Sequence, residues 1–85
     1  MKPEQTIPYG KIQSVSDIGQ LVRQRRKQLG MGLVETAAVC NVGVRFLSEF
    51  ERGKPTVQLG KALEILHALG FEVQCQLAED NSDNT

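Results

Sequence analysis

This sequence of 85 residues carries ten acidic side chains and ten Lys or Arg, so it makes one small domain with no formal net charge. The two cysteines, Cys40 and Cys75, form no CxxC pair, there is a single histidine, and no catalytic triad or glycine-rich phosphate loop is present. We therefore expect buried, reduced thiols, no metal, no cofactor and no enzyme. No cationic start precedes an apolar run and no stretch is long enough to span a bilayer, which predicts a cytoplasmic protein without a membrane partner.

Size and charge distribution both point to binding partners. A chain of this length buries only about 60% of the surface that its unfolded form exposes, which favours oligomerisation as an added source of stability. Residues 11–61 contain nine Lys or Arg against four acids, an excess of five, whereas four of the ten acids lie after residue 71. The local field steers association, so a basic body with an acidic end can bind an anionic partner.

Residues 1–14 contain two of the three prolines and little hydrophobic periodicity, which predicts a flexible N-terminal arm. A first helix is predicted at about 17–29, with Ser16 or Asp17 as its N-cap and Gly30 as its terminator. Its apolar stripe consists of Ile18, Leu21, Val22 and Leu29. Its outer face carries a cluster of cations, which fits a solvated face as well as phosphate contact: Arg23, Arg25, Arg26 and Lys27.

Two short helices follow around a tight turn. The first is predicted at about 33–40 and has no good cap, because Gly32 stands where Ser, Thr or Asp would be preferred. Asn41 and Gly43 bracket the turn, since both tolerate positive φ. The next helix is predicted at about 44–52, with Leu47 and Phe50 on its inner side.

A fourth helix, from 57 or 58 to 69, precedes a segment with the alternation of a strand. The apolar stripe of the helix follows the three- and four-residue spacing: Leu59, Ala62, Leu63, Leu66 and Leu69. Residues 71–77, FEVQCQL, alternate apolar and polar side chains, which predicts a half-buried strand. Its apolar members are Phe71, Val73, Cys75 and Leu77.

The predicted strand needs a partner, because a lone strand cannot satisfy its own backbone N–H and C=O groups. No second strand of comparable quality exists, the weak candidate being residues 7–13. We therefore expect 71–77 to pair with the same strand of a second copy, burying four apolar side chains that each contribute about 1.5–3 kcal/mol. The alternative is a strand that folds back on its own N-terminal arm. Residues 78–85 are expected to be a disordered acidic tail.

Two short helices with a tight turn, flanked by one helix on each side, form the arrangement of DNA-binding helix-turn-helix domains. With Leu33 as the first position, Ala37 is the small residue at the close helix crossing. The segment GVRFLSEFERGK and the KPTVQL that overlaps its end resemble the XRE (lambdoid repressor and Cro) family, and within it the HipB-type antitoxins. The resemblance covers about residues 16–77.

This resemblance implies a mainly α fold. It consists of a four-helix lambda-repressor-like DNA-binding domain at 15–70, with its motif at about 33–52, and a C-terminal β-strand that pairs across a homodimer. The chain departs from the family at the start of the motif, where Gly32 and Leu33 replace Thr-Gln. Thr36 and Asn41 stand where leucine and glycine are usual. The side-chain phosphate contact at that helix start is lost, but backbone N–H groups there can still bind a phosphate.

The resemblance also implies roles for individual residues. The internal ion pair of the family falls on Arg26 and Glu51, although periodicity alone does not choose between Arg25 and Arg26. Predicted base contacts are Val44, Arg45, Phe46, Ser48 and Glu49. Predicted phosphate contacts are Arg23, Lys27, Gly32, Leu33, Arg52 and Lys54.

The chemistry of these side chains suggests how each would act. The Arg45 guanidinium matches guanine O6 and N7 bidentately. Glu49 suits either cytosine N4 or the orientation of Arg45, and Phe46 suits either a thymine methyl or the core.

The first functional hypothesis is a homodimeric, sequence-specific DNA-binding repressor on a pseudo-palindromic operator. By resemblance alone, it would also be the antitoxin of a HipA-like kinase toxin and repress its own operon. Alternatives are a stand-alone phage-type or housekeeping repressor, and a protein-interaction module that has lost DNA binding.

Overall fold

Four helices and the segments that join them make up residues 10–78, the part of the chain that the computed structural model describes. The helices are α1 (Val15–Gln28), α2 (Leu33–Cys40), α3 (Val44–Glu51) and α4 (Leu59–Ala68). The predicted mainly α, four-helix fold is confirmed, and α2 has the predicted bounds. Most of the predicted arm and nearly all of the predicted acidic tail lie outside the described residues.

The first helix begins two residues before the predicted start. Ser14 is the N-cap, and its hydroxyl accepts a hydrogen bond from the backbone N–H of Asp17 at 3.2 Å. The Asp17 carboxylate in turn accepts from the backbone N–H of Gln13 at 2.8 Å. These reciprocal bonds satisfy donors that the helix start leaves unpaired, which is why Ser14 and not Ser16 or Asp17 caps the helix.

The apolar stripe of α1 also differs from the prediction at its C-terminal end. Leu29 is the C-cap and 45% exposed, because the chain leaves the helix there and turns at Gly30 with φ +71. Arg26 occupies the buried position instead. Its neighbour Arg25 donates from Nε to the backbone oxygen of Leu69 at 2.9 Å, which ties α1 to the end of α4.

The backbones of α1 and α3 approach closely at Gly19. A Cβ at this position would lie 2.7 Å from the backbone oxygen of Glu51 and 2.9 Å from its carbonyl carbon. Ala37, predicted to lie at the close helix crossing, is buried, but the crossing at Gly19 was not predicted, because an isolated glycine inside a helical pattern does not by itself indicate close packing.

The turn of the motif depends on one left-handed residue. Asn41 has φ +60 and is the C-cap of α2. Gly43 does not use positive φ: with φ −73 and ψ 152 it is the extended N-cap of α3. Gly43 therefore brackets the turn as expected, but as an N-cap with β-region geometry that any residue adopts rather than through positive φ.

The core lies between the four helices. Its fully buried side chains are Val22, Thr36, Leu47, Phe50 and Ile65. Leu59 was predicted to join it but is 67% exposed, because α4 starts at this residue and its buried stripe runs through Ala62, Ile65 and Leu66. The hydroxyl of Thr36 is buried without a hydrogen-bond partner in the described part of the chain, which weakens the core.

Residues 71–78 form no regular secondary structure in the described chain. Phe71 packs against the core, whereas Val73, Cys75 and Leu77 are exposed, Leu77 at 95%. The buried thiol predicted for Cys75 is therefore wrong for the single chain, while burial raises the pKa of the Cys40 thiol. One cleft is lined by Glu72, Gln74, Cys75 and Gln76 together with the arm residues Gly10 and Ile12. Strand pairing of 71–77 across a dimer stays a prediction, because a strand forms only when a neighbouring strand supplies partners for its backbone hydrogen bonds.

The crossing at Gly19 can be tested by glycine-to-alanine substitutions. Gly19→Ala should lower the free energy of unfolding by about 1–3 kcal/mol, because α1 and α3 must move apart. Gly60→Ala is the matched control: Gly60 lies in α4 with nothing within 4 Å of a built Cβ. This control should be neutral or raise stability by up to about 1 kcal/mol. Equal urea midpoints for the two variants would contradict the close crossing.

Candidate nucleic-acid interface

The position of α3 follows from one buried ion pair. The guanidinium of Arg26 donates from Nε and Nη2 to the two carboxylate oxygens of Glu51, at 2.7 and 2.9 Å. The pair is buried, and the hydrogen bonds to Glu51 raise the pKa of Arg26. Nη1 of Arg26 donates to the backbone oxygen of Met31 at 3.1 Å. The Arg26 side chain therefore joins α1 to the loop before α2 and to the end of α3. Its neighbour Arg25 is bound to the end of α4 instead.

The outward face of α3 is the face opposite Leu47 and Phe50, which are fully buried. Val44 and Arg45 lie at its start, and the Arg45 side chain is 91% exposed. Ser48 lies one turn further on and accepts a hydrogen bond from Nη1 of Arg52 at 3.1 Å. Four of the predicted DNA contacts therefore lie on this outward face: Val44, Arg45, Ser48 and Arg52.

Glu49 lies between two cations on this surface. Its carboxylate accepts from Arg45 Nε at 3.2 Å and from Lys54 Nζ at 3.1 Å. The Lys54 ammonium first, and the Arg45 guanidinium second, hold the pKa of the Glu49 carboxyl below its ordinary value. The carboxylate is thus charged at neutral pH and is occupied by two donors.

Phe46 packs toward the core rather than standing free. Its ring centroid lies 6.4 Å from that of Phe50 in a tilted arrangement, and it is one of the half-buried residues around the core. The ammonium of Lys61, on the first turn of α4, lies 5.4 Å from the centroid of the same ring. Such a contact is a cation–π interaction, which favours a ring held in place.

The predicted phosphate contacts fall into three places. Arg23, Lys27 and Arg52 line one cleft of about 540 Å³ between α1 and the end of α3, together with Ser16, Gln20, Gln24 and Glu51. Lys54 lies apart on Glu49, although Lys54 and Arg52 also share a shallow depression. Gly32 and Leu33 lie at the N-terminus of α2, where no side chain caps the helix.

Comparisons with known proteins identify the fold. The sequence matches the family described as helix-turn-helix over residues 22–74. A protein of Sinorhizobium fredii (strain NBRC 101917 / NGR234), named as the uncharacterized HTH-type transcriptional regulator y4mF, is 44% identical over 63 residues, which make 74% of this chain and 83% of that protein. The chain belongs to the XRE-type helix-turn-helix family.

Solved helix-turn-helix structures of the same fold include two complexes of HipB. One is HipB with a 20mer called O4, at a TM-score of 0.74, 22% identity, 84% coverage of this chain and 100% of that chain. The other is a HipB variant with a 20mer called O2, at a TM-score of 0.75, 22% identity and coverages of 85% and 100%. At this identity the likeness establishes the shared fold.

Two contacts in this helix-turn-helix domain were not predicted from the sequence. Lys61 lies over Phe46, and Lys54 donates to Glu49. Each joins residues whose separation is set by tertiary packing or by the turn at Gly53, so neither a period nor a motif reveals it.

Two further observations concern membrane spans and metal sites. None of the described helices is long and apolar enough to cross a bilayer. Within residues 10–78, His, Cys, Asp and Glu side chains form no group of three placed to hold a metal ion.

The Arg26–Glu51 pair should be structural rather than DNA-contacting. Arg26→Met or Glu51→Leu alone should lower the free energy of unfolding by about 3–5 kcal/mol, because each leaves one buried charge without its partner. The double variant Arg26→Met/Glu51→Leu should recover most of that loss, since no charge remains buried. Urea denaturation of the three variants measures this. A double variant as unstable as the sum of the singles would contradict the coupling.

Proposed function

We propose that this protein is a homodimeric, sequence-specific DNA-binding repressor whose helix α3 enters the major groove. One observation carries the proposal: the first turn of α3 presents Arg45, 91% exposed, while the opposite face of the helix is fixed in the core. The major groove admits an α-helix and presents a distinct pattern of donors and acceptors for each base pair.

We assign the base contacts by what each side chain leaves free. Arg45 uses only Nε toward Glu49, so its two terminal amino groups can reach guanine O6 and N7. Val44 is exposed and suits a thymine methyl, and Ser48 suits a base or a phosphate. Phe46 is assigned to packing, because its ring lies against Phe50 and beside Lys61.

Phosphate neutralisation is assigned to the cations around α1 and the end of α3. Arg23, Lys27 and Arg52 meet at one cleft, and neither Arg23 nor Lys27 is ion-paired within residues 10–78. The uncapped N-terminus of α2 at Gly32 and Leu33 adds backbone N–H donors. Such contacts make binding strongly dependent on salt.

Dimerisation is proposed through residues 71–77. Val73, Cys75 and Leu77 are exposed apolar side chains at alternating positions, which a second copy of the same segment would cover. Two copies of α3 would then face successive turns of the duplex, about 34 Å apart, and the operator would be pseudo-palindromic.

The finer role proposed is that of an antitoxin that binds a HipA-like kinase toxin and represses its own operon. It is supported by the HipB-like motif and by the fold shared with two HipB complexes. A stand-alone repressor is the competing role. The neighbouring reading frame decides between them, since a kinase-like frame that overlaps this one is expected only for the antitoxin.

The roles of Arg45 and Lys54 differ and can be separated. Arg45→Ala should weaken binding to the operator by about 1–3 kcal/mol more than binding to random duplex, because it removes a bidentate base contact. Lys54→Ala should weaken both by the same factor and reduce both salt slopes by less than about 0.9 per subunit, because Glu49 already neutralises part of the Lys54 charge. Arg45→Lys is the control, since it keeps the charge but lacks the planar fork. Equal losses on both duplexes for Arg45→Ala and Lys54→Ala would refute these assignments.

The dimer contact can be tested on the two faces of one segment. Val73→Asp places a charge on the apolar face of 71–77 and should yield a monomer in sedimentation equilibrium, as should removal of residues 71–85. Gln74→Asp carries the same added charge on the other face and should stay dimeric. A dimer that survives both Val73→Asp and the truncation would rule out this interface.

A further inference from the structure

Glu49 is an acid at the centre of a surface otherwise suited to an anionic partner. Its side chain is 24% exposed, whereas those of its partners Arg45 and Lys54 are 91% and 50% exposed. Each of its two oxygens accepts from a different cation, Oε2 from Arg45 and Oε1 from Lys54. The carboxylate therefore occupies the place between these two cations that a DNA phosphate would otherwise take.

The two cations are not engaged in the same way. Arg45 is bound through Nε alone, and its terminal amino groups have no hydrogen bond within residues 10–78. Lys54 is a single ammonium whose charge lies directly on Oε1. A guanine can therefore be read by Arg45 with the Glu49 contact intact, but a phosphate can recruit either cation fully only in competition with the carboxylate.

We propose that Glu49 is a specificity-determining residue that acts through Arg45 and Lys54: it competes with DNA phosphates for both cations and so weakens binding to non-cognate duplexes more than to the operator. The inference rests on the proposed DNA-binding function. Unfavourable interactions with the wrong partner are one of the two routes to specificity. At a non-cognate site no guanine lies where Arg45 can bind it, and the Glu49 charge remains facing the phosphates.

This role differs from that of a base contact. Cytosine N4 could donate only as a third partner of Glu49, since a carboxylate has about four acceptor sites and two of them are taken by Arg45 and Lys54. The observed geometry uses both oxygens inside the protein. Removing the charge should therefore strengthen non-cognate binding, whereas removing a base contact would weaken operator binding.

The test compares Glu49→Gln with the wild type on two duplexes of equal length. One is the duplex that the wild-type protein selects from a random library, and the other is its scrambled sequence. Between about 50 and 200 mM salt, each cation that Glu49→Gln releases should steepen the scrambled-duplex salt slope by about 0.9 per subunit. Affinity for the scrambled duplex should rise about tenfold at the low-salt end, and the ratio of the two affinities should fall.

Two variants control for net charge and for the identity of the cation. Glu64→Gln removes the same charge from the exposed face of α4, where Glu64 forms no ion pair in the described residues, and should leave the salt slope unchanged. Glu49→Gln/Lys54→Met should lose about half of the gained slope, the share that belongs to Lys54, and keep the share of Arg45. Urea denaturation should show all variants folded, because exposed ion pairs contribute little to stability.

The remaining outcomes overturn the inference in distinguishable ways. Weaker operator binding by Glu49→Gln with an unchanged scrambled-duplex slope would make Glu49 a base contact. An equal gain for Glu64→Gln would reduce the effect to net charge. Wild-type protein that selects no duplex and binds none with a salt dependence would refute the proposed function itself, and this inference with it.

Discussion

The buried ion pair between Arg26 and Glu51 is the interaction on which the orientation of the outward face of α3 depends. It takes two charges out of water, and three hydrogen bonds from one guanidinium satisfy them: two to the carboxylate and one to the Met31 carbonyl. Beside it, the glycine at position 19 lets the α1 backbone approach the last carbonyls of α3. Together these contacts set the rotation of α3 about its axis, and the rotation decides which side chains face outward.

Much of this arrangement follows from hydrophobic period and turn chemistry. The bounds of α2, the left-handed Asn41 and the burial of Leu47 and Phe50 could be predicted because each is a local pattern with one physical solution. Hydrophobic periodicity predicted burial wrongly at one charged residue and at one residue at the end of a helix. Arg26 is buried although arginine counts as polar, and Leu59 is exposed although leucine counts as core, since it lies at a helix end.

Apart from the Arg26–Glu51 pair, which the family resemblance implied, contacts between elements lay beyond the sequence. The Arg45–Glu49 pair has the four-residue spacing of a helical ion pair, and the orientation of Arg45 was one of the two roles that the sequence suggested for Glu49. The contacts of Lys54 with Glu49 and of Lys61 with Phe46 depend on how the chain turns at Gly53 and where α4 packs. They change how the outward face of α3 is interpreted, because Glu49 is bound by two cations and Phe46 packs toward the core. For 71–77, alternation predicts a strand, but a partner strand must supply its hydrogen bonds.

We propose above all that α3 reads guanine in the major groove through Arg45. Methylation interference on the duplex selected by the wild-type protein tests it most directly, because a methyl group on guanine N7 blocks the acceptor that a guanidinium needs. Premethylation of one guanine in each half-site should prevent binding by the wild type and make little further difference to Arg45→Ala. Interference that is the same for both proteins, or absent from the major groove, would contradict the account.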